Sequence, residues 1–485
     1  MDATLVRDSP FLTGHHRSNR MEVDAPDLEI RGQIPADLAG VFYRNGAEPM
    51  YPPTDEDYHW FDGDGMVYGF FIENGRVSMR NRWVRTDKLL LEQREGRRLF
   101  GVLGNPMTTD PKAHGTRYNT ANTNVIIHGG KLMALMEGAP PVALDPRSLH
   151  TLGEHTYGGV VTTTFSAHPK VDLATGELVN IGNAVHGLGG DAVIRYDVID
   201  FDGNPIKTEF IDVPHMTMLH TFLLTENWVV FPVNPLELSL KRAMAGGPLA
   251  AWVPDRPTKL GVMPRNGSAA DVRWSEVEPR HMLHEANVWE DEAGCIIADV
   301  AAAEGTALFP DIYGNRASHK DTQQSLRRWI IDPHNLSGDL NEVIINDRDI
   351  QFPRPDDRLM ARPTRHAFAN SNLYSQDGRA DGMDSALRVD TTTGVEDLFH
   401  FGEGAAAGEV IFAPRVGSTG ELDGYALTLV HHQDAAETEL VVFDAANIAD
   451  GPVARAMVPF RIPSGFHCSY YSQDSPLFRQ AFGSA

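Results

Sequence analysis

The chain has 485 residues, 42% of them hydrophobic, which is ample for a core, and a formal net charge of −24. That charge argues against nucleic acid or an anionic membrane surface as a partner and favours solubility. Only two cysteines occur, Cys295 and Cys468, so a disulfide framework is excluded and a reducing, cytoplasmic setting is expected, with Cys468 read as a small buried side chain.

The first ten residues, MetAspAlaThrLeuValArgAspSerPro, lack the basic and apolar regions of a secretory leader. No uncharged apolar run approaches the ~20 residues needed to span a bilayer, so no membrane span is expected. Strand and turn signals then dominate, in keeping with a load of 44 Gly and 31 Pro. Residues 68–79 read as a hairpin around Asn74-Gly75, a strong two-residue turn signal. Residues 124–135 repeat the idea, with two apolar strands around HisGlyGly at 128–130. A looser pattern follows, in which an apolar strand ends in Asp, a Gly-containing turn intervenes and another strand begins. It recurs at Asp145, Asp172, Asp202, Asp332, Asp390 and Asp444. Asp suits such turns because its side chain accepts from nearby backbone N–H groups.

This pattern predicts stacked antiparallel sheets along the whole chain, without fixing their number. Helices are few. The best candidate is 235–245, with Asn234 as N-cap, Pro235 at the first position and Gly246 as the stop. Leu236, Leu240 and Ala243 would share one face. No flexible linker or low-complexity tract divides the chain, and closed β architectures grow by adding blades around one axis. One domain, 1–485, is therefore expected despite the length.

Among the 20 histidines, four end short apolar approaches: His168 in ThrPheSerAlaHisPro, His220 in MetThrMetLeuHis, His284 in HisMetLeuHisGlu and His467 in SerGlyPheHisCys. Imidazole is a neutral, borderline ligand suited to iron, copper, nickel and zinc. Spacing alone leaves His220 open against His215, and His284 open against His281. The short HisGluXaaXaaHis and CysXaaXaaCys patterns of common metal sites are missing, as are the glycine-rich phosphate loop and the nucleophile elbow.

A series of motifs narrows the choice. In order they are GlyGlnIleProAlaAspLeuAlaGlyValPheTyrArgAsn (32–45), PheAspGlyAspGlyMet (61–66), ArgThrAspLys (85–88), LeuPheGly (99–101), ThrAlaAsnThrAsnVal (120–125), PheSerAlaHisProLysValAsp (165–172), PheProAspIleTyrGly (309–314), PheAlaProArg (412–415) and GlyPheHis (465–467). Together they resemble the carotenoid cleavage oxygenase family nearly end to end, and within it the bacterial branch of lignostilbene dioxygenases and isoeugenol monooxygenase. The resemblance implies a seven-bladed β-propeller with a cap of loops and short helices over the metal-containing face. Inner strands of different blades pass close to the axis, so histidines far apart in sequence can meet there. It implies Fe(II) held by His168, His220, His284 and His467, with His215 and His281 as ordinary polar neighbours.

The family orients three of its histidines with glutamates. Two carry over as Glu137 and Glu409; the third position is Gln351 in GlnPhePro, which can accept an imidazole N–H but brings no charge. Thr123 falls where relatives place a threonine methyl beside the O2 position. Phe61, Leu103, Met136, Phe165, Met218, Leu219 and Phe309 are the expected pocket walls. Stilbene-cleaving relatives grip a phenol oxygen with a Tyr and a Lys; here those positions are Leu103 and Met136. The implied reaction is cleavage of the C=C bond of an aryl alkene, a stilbenoid or a propenyl- or vinyl-benzene such as isoeugenol, by O2 to aldehydes. The partners are then a small apolar or aromatic alkene and O2, with no organic cofactor. An apocarotenoid or another apolar polyene is the alternative substrate, and a metal-free propeller scaffold the alternative class.

Overall fold

The computed structural model describes residues 9–103, 105–336, 339–372, 383–433 and 435–483; part of the N-terminal stretch read for a leader, residues 1–8, lies outside them. Contacts divide the chain into two compact units, Met1–Thr162 with Arg379–Ala386 and Phe399–Ala485, and Thr163–Gly378 with Leu387–Leu398.

In the first unit the hairpin around Asn74-Gly75 is present. Asp64–Glu73 pairs with Arg76–Trp83, and the two turn residues have φ of 52° and 73°. Two consecutive positive φ values give the turn whose twist matches the flanking strands. Gly40–Glu48 pairs with Asp64–Glu73 on one side and with Cys468–Ser472 on the other. The last described strand therefore completes a sheet begun near the N-terminus. A second sheet joins Glu29–Gly32, Ala454–Val458, Thr438–Asp444 and Gly424–His432, and a third runs Asn124–His128, Lys131–Leu135, Val142–Leu144, Thr151–Glu154. The turn in this third sheet is Gly129-Gly130, with His128 ending its strand. Phe42, Tyr68, Phe70, Trp83, Leu427 and Leu440 fill one buried cluster of the unit, each worth about 1.5–3 kcal/mol when fully buried.

The second unit repeats a simple antiparallel meander. Its sheets are Lys170–Asp172, Glu177–Gly182, Val193–Asp200, Pro205–Asp212; then Leu223–Leu224, Trp228–Val233, Thr258–Pro264, Arg273–Val277; then His281–Glu290, Ile296–Ala303, Ser325–Ile331, Asn341–Asn346. Ile350–Arg354 and His366–Ser371 start another, continued by Ser385–Asp390 and Glu396–His400. The seven sheets of four or more strands are the blades of a seven-bladed β-propeller, the fold expected from the sequence.

The Asp-ended turns are real at five of the six positions. Asp145, Asp172, Asp332, Asp390 and Asp444 each accept from a backbone N–H two residues on. At the sixth, the turn carboxylate is Asp200 rather than Asp202: it ends Val193–Asp200 and accepts from the N–H groups of Asp202 and Asn204.

The helix expected over 235–245 is only half formed. Leu236–Leu238 is a strand paired with Ala250–Trp252, and the helix is Leu240–Met244. Ser239, not Asn234, is its N-cap, accepting from Arg242 N–H. Asn234 instead donates its amide to the Met282 carbonyl, and Leu236 is fully buried. Tertiary packing thus overrides the helical spacing of Leu236 and Leu240. Asp87–Glu95, capped by Thr86 and closed by Gly96 at φ 67°, is a longer helix that the sequence reading did not single out.

Candidate metal centre

Each of the four singled-out histidines is held by its own backbone arrangement. His168 follows a loop whose N–H groups are satisfied in sequence: His168 N–H donates to Ser166 Oγ, and Ser166 N–H to Asn180 Oδ1. The Asn180 amide donates to Asp197, which is paired with Arg195, and Arg195 reaches back to the Thr164 carbonyl. His220 ends a segment anchored by Thr217, whose hydroxyl reaches the Asn234 and Leu236 carbonyls.

His284 lies in the strand His281–Glu290 between two register shifts, one between Met282 and His284 and one between Glu285 and Asn287. Such bulges bend a strand and re-aim a side chain, and they concentrate near functional sites. His467 lies just before Cys468–Ser472. Its N–H donates to the Thr123 carbonyl, and its own carbonyl accepts from Asn45 N–H.

The ring nitrogens converge. His168 Nε2 lies 2.9 Å from His220 Nε2, which lies 3.2 Å from His284 Nε2. The three rings meet edge to face, with centroids 4.4, 5.1 and 5.0 Å apart. With His467 they form a set whose ligand atoms all lie within 4.8 Å of one another. Two nitrogens bound at ~2.1 Å and at right angles on one ion would be ~3.0 Å apart, so the spacing fits a shared ion. His467 Nδ1 lies 3.0 Å from Oε1 of the fully buried Glu409, whose other oxygen accepts the Cys468 N–H. A carboxylate can only accept, so the Nδ1 proton is fixed and the Nε2 lone pair is left for a metal.

The two rejected histidines behave differently. His215 is half-buried, with Nε2 2.9 Å from the Asn234 carbonyl. His281 is buried beside the Trp252 ring, and its pKa is pushed down to about 4 by desolvation and then by the nearby His220. Neither joins the converging set.

A β-propeller bearing four histidines able to hold one metal ion defines a class of metal-binding protein, and the comparisons with known proteins give the family. The family model described as retinal pigment epithelial membrane protein (RPE65) matches residues 16–472, and the chain belongs to this RPE65/carotenoid cleavage oxygenase family. Among similar proteins, the lignostilbene-alpha,beta-dioxygenase isozyme III of Sphingomonas paucimobilis is 37% identical, covering 95% of this chain and 96% of its own. The isoeugenol monooxygenase of Pseudomonas nitroreducens is 34% identical, over 96% of this chain and 98% of its own. The crystal structure of Pseudomonas brassicacearum lignostilbene dioxygenase superposes with a TM-score of 0.91 at 35% identity, over 96% of this chain and 99% of its own. No helix among the described residues is long and apolar enough to cross a membrane.

The other residues singled out fall into three groups. Thr123 is tied to His467 through its carbonyl, and its hydroxyl donates to Asn122 Oδ1. Glu137 is half-buried in the turn after Lys131–Leu135, and Gln351 half-buried in Ile350–Arg354. From this last strand the Phe352 ring stands against His284, a contact the sequence reading missed.

Of the expected pocket walls, Phe61 packs on Phe466, the neighbour of His467, with centroids 5.5 Å apart. The Leu103 N–H donates to Asp62 Oδ1, which also accepts from the Tyr118 hydroxyl, so Asp62 ties the Phe61 and Leu103 loops together. Met136 is half-buried beside Glu137, and Phe165 is fully buried. Met218 and Phe309 pack with Leu236 and Trp252. Leu219 packs into the core cluster of Tyr196 and Phe231.

Proposed function

We propose that His168, His220, His284 and His467 hold Fe(II), and that the chain is an oxidoreductase cleaving the C=C bond of an aryl alkene with O2 to give aldehydes. The observation that carries this reading is the convergence of the His168, His220 and His284 Nε2 atoms at 2.9 and 3.2 Å. The names of the full-length relatives support the substrate class, a stilbenoid or a propenyl- or vinyl-benzene such as isoeugenol. Iron held there would supply the binding and activation of O2. The protein's tasks are to orient the imidazoles, place the alkene and exclude water.

Glu409 fixes the His467 tautomer and offsets the metal's charge. Glu137 and Gln351 have the same task on the other imidazoles, Gln351 without a charge to offer. Thr123 narrows access for O2 beside His467. Phe61, Met136, Phe165, Met218, Leu219, Phe309 and the Leu103 side chain form the apolar surround of the alkene. The free thiols Cys295 and Cys468 support a cytoplasmic setting. The seven sheets of one propeller support a single domain over 1–485.

A second reading, cleavage of an apocarotenoid or other apolar polyene, is favoured by one observation. Leu103 and Met136 put hydrocarbon where the stilbene-cleaving pattern has a phenol-gripping Tyr and Lys.

Metal analysis of the purified chain and its single Ala variants, with a turnover screen on isoeugenol, resveratrol and a short apocarotenal, tests both. Ala at His168, His220, His284 or His467 should lower bound iron and abolish turnover; Ala at His215 should do neither. Full iron and activity in any of the first four would remove that residue from the set. Turnover of the apocarotenal alone would select the second reading.

A further inference from the structure

Three residues that follow the second unit's histidines are hydrogen-bonded to one another. Lys170 lies two positions after His168, Thr221 one after His220 and Glu285 one after His284. Lys170 Nζ donates to Thr221 Oγ1 at 3.0 Å and to Glu285 Oε1, and the Thr221 hydroxyl donates to Glu285 Oε2 at 2.8 Å. The triangle is closed and desolvated: Thr221 is 1% exposed, and the side chains of Lys170 and Glu285 are 5% and 12% exposed. Lys170 also lies over the Phe222 ring, 5.5 Å from its centroid.

We propose that Lys170, Thr221 and Glu285 are positioning residues, a buried truss that holds three ligand-bearing segments in register for the metal. This rests on the assignment of His168, His220 and His284 as ligands. Lys170 and Glu285 lie in strands of different sheets, and Thr221 lies just before Leu223–Leu224 of a third, so no shared backbone ladder fixes one relative to another. The segment that most needs fixing is the one carrying His284. Its ladder slips between Met282 and His284 and again between Glu285 and Asn287, leaving Glu285 between two irregularities. The Glu285 carboxylate, gripped by an ammonium and a hydroxyl from two other segments, supplies the constraint the ladder lacks.

A carboxylate has two oxygens with fixed directions, and here each takes a different donor. Hydrogen bonds are directional where apolar packing is not, so the triangle restricts sliding between the three segments. Charge is also consistent with the role: Glu285 compensates Lys170, so the truss adds no net charge behind the imidazoles.

The test uses the full chain and Co(II) as probe, read by titration, by the Co(II) d–d absorption band and by the melting temperature of the metal-free protein. Replacing a buried ion pair by apolar side chains of similar volume is often neutral for stability. Lys170→Met with Glu285→Leu should therefore leave the metal-free melting temperature within a few degrees of wild type. Co(II) affinity should fall ~10–100-fold, the range for lost support behind metal ligands, and the d–d band should change shape. Thr221→Val, which keeps volume and removes only the bridging hydroxyl, should weaken Co(II) binding in the same direction, and Thr221→Ser should restore it. Wild-type affinity and an unchanged band in the apolar double variant overturn the truss and leave the ligand assignment standing. If the double variant fails to fold, the Thr221→Val and Thr221→Ser pair decides by the same readouts: unchanged Co(II) binding in Thr221→Val overturns the truss. A wild-type chain that takes up no Co(II) would overturn the ligand assignment and the truss with it.

Discussion

Phe352 stands against His284, ring centroids 5.1 Å apart and planes at 59°, from a backbone with φ of 50°. A bulky residue in the left-handed region costs about 1–3 kcal/mol, and such strain persists mainly where the surroundings impose it. Here the strand carrying it also slips register between Gln351 and Arg354. The slip and the positive φ together accompany a ring set against an imidazole of the converging set.

Phe352→Gly should relieve the strain and lose the ring. The two effects offset, so stability should change by no more than about 1 kcal/mol. Loss of metal to a chelator should nonetheless quicken. Phe352→Leu keeps the strain and lacks the flat ring, so it should be the less stable of the two. Equal chelator resistance in Phe352→Gly and wild type would show that the ring does not brace His284.

Glu409 and Gln351 call for opposite changes. Glu409→Gln keeps the shape at His467 and removes the charge, and should weaken metal binding ~10–100-fold. Gln351→Glu adds a carboxylate and should slow metal loss during chelation. Competition titrations on the two variants measure both. Unchanged or faster loss from Gln351→Glu would mean that Gln351 does not face an imidazole.

His281 predicts a pH dependence. Its folded-state pKa is lowered to about 4 by burial and then by His220, against 6.5 for the free side chain. Below pH 6.5 the unfolded chain binds a proton that the folded chain refuses until about pH 4. Stability is therefore full above 6.5 and falls as pH drops through this window, by up to about 3 kcal/mol for this one group. His281→Leu in metal-free protein should flatten the acid limb between pH 7 and 5 relative to wild type. Parallel melting curves for the two proteins would show that another group carries the dependence.

The apolar side chains at 103 and 136 bear on substrate choice. A buried phenol oxygen without a partner costs about 1–3 kcal/mol. Wild type should therefore treat a 4-methoxystilbene about as well as the 4-hydroxy compound, and Leu103→Tyr with Met136→Lys should shift preference to the phenol. A buried Lys has its own desolvation cost, so neither single change need help. The comparison is kcat/KM for the matched pair. A strong phenol preference in wild type would mean that another residue binds that oxygen.

The hairpin at Asn74-Gly75 was legible because its turn demands positive φ at both positions, and the Asp-ended turns because a carboxylate serves its own backbone. The four histidines were legible only as parts of ordered motifs, since their meeting depends on contacts between distant segments. Leu236 misled because its helical spacing lost to pairing with Trp252. Thr86 and Gly96 around the longer helix were adequate caps that went unread. The truss left one trace in the sequence: Lys170, Thr221 and Glu285 each follow a chosen histidine within two positions. Nothing in their spacing said that they face one another.

The strand Cys468–Ser472 pairs with Gly40–Glu48, and His467 immediately precedes it. In order of synthesis, this imidazole emerges after the other three and after its carboxylate partner Glu409. Pairing across so long a separation is slow and forms late. On the proposed ligand set, a chain whose closing strand has not docked would lack its fourth nitrogen, so tight metal retention would report closure of that sheet.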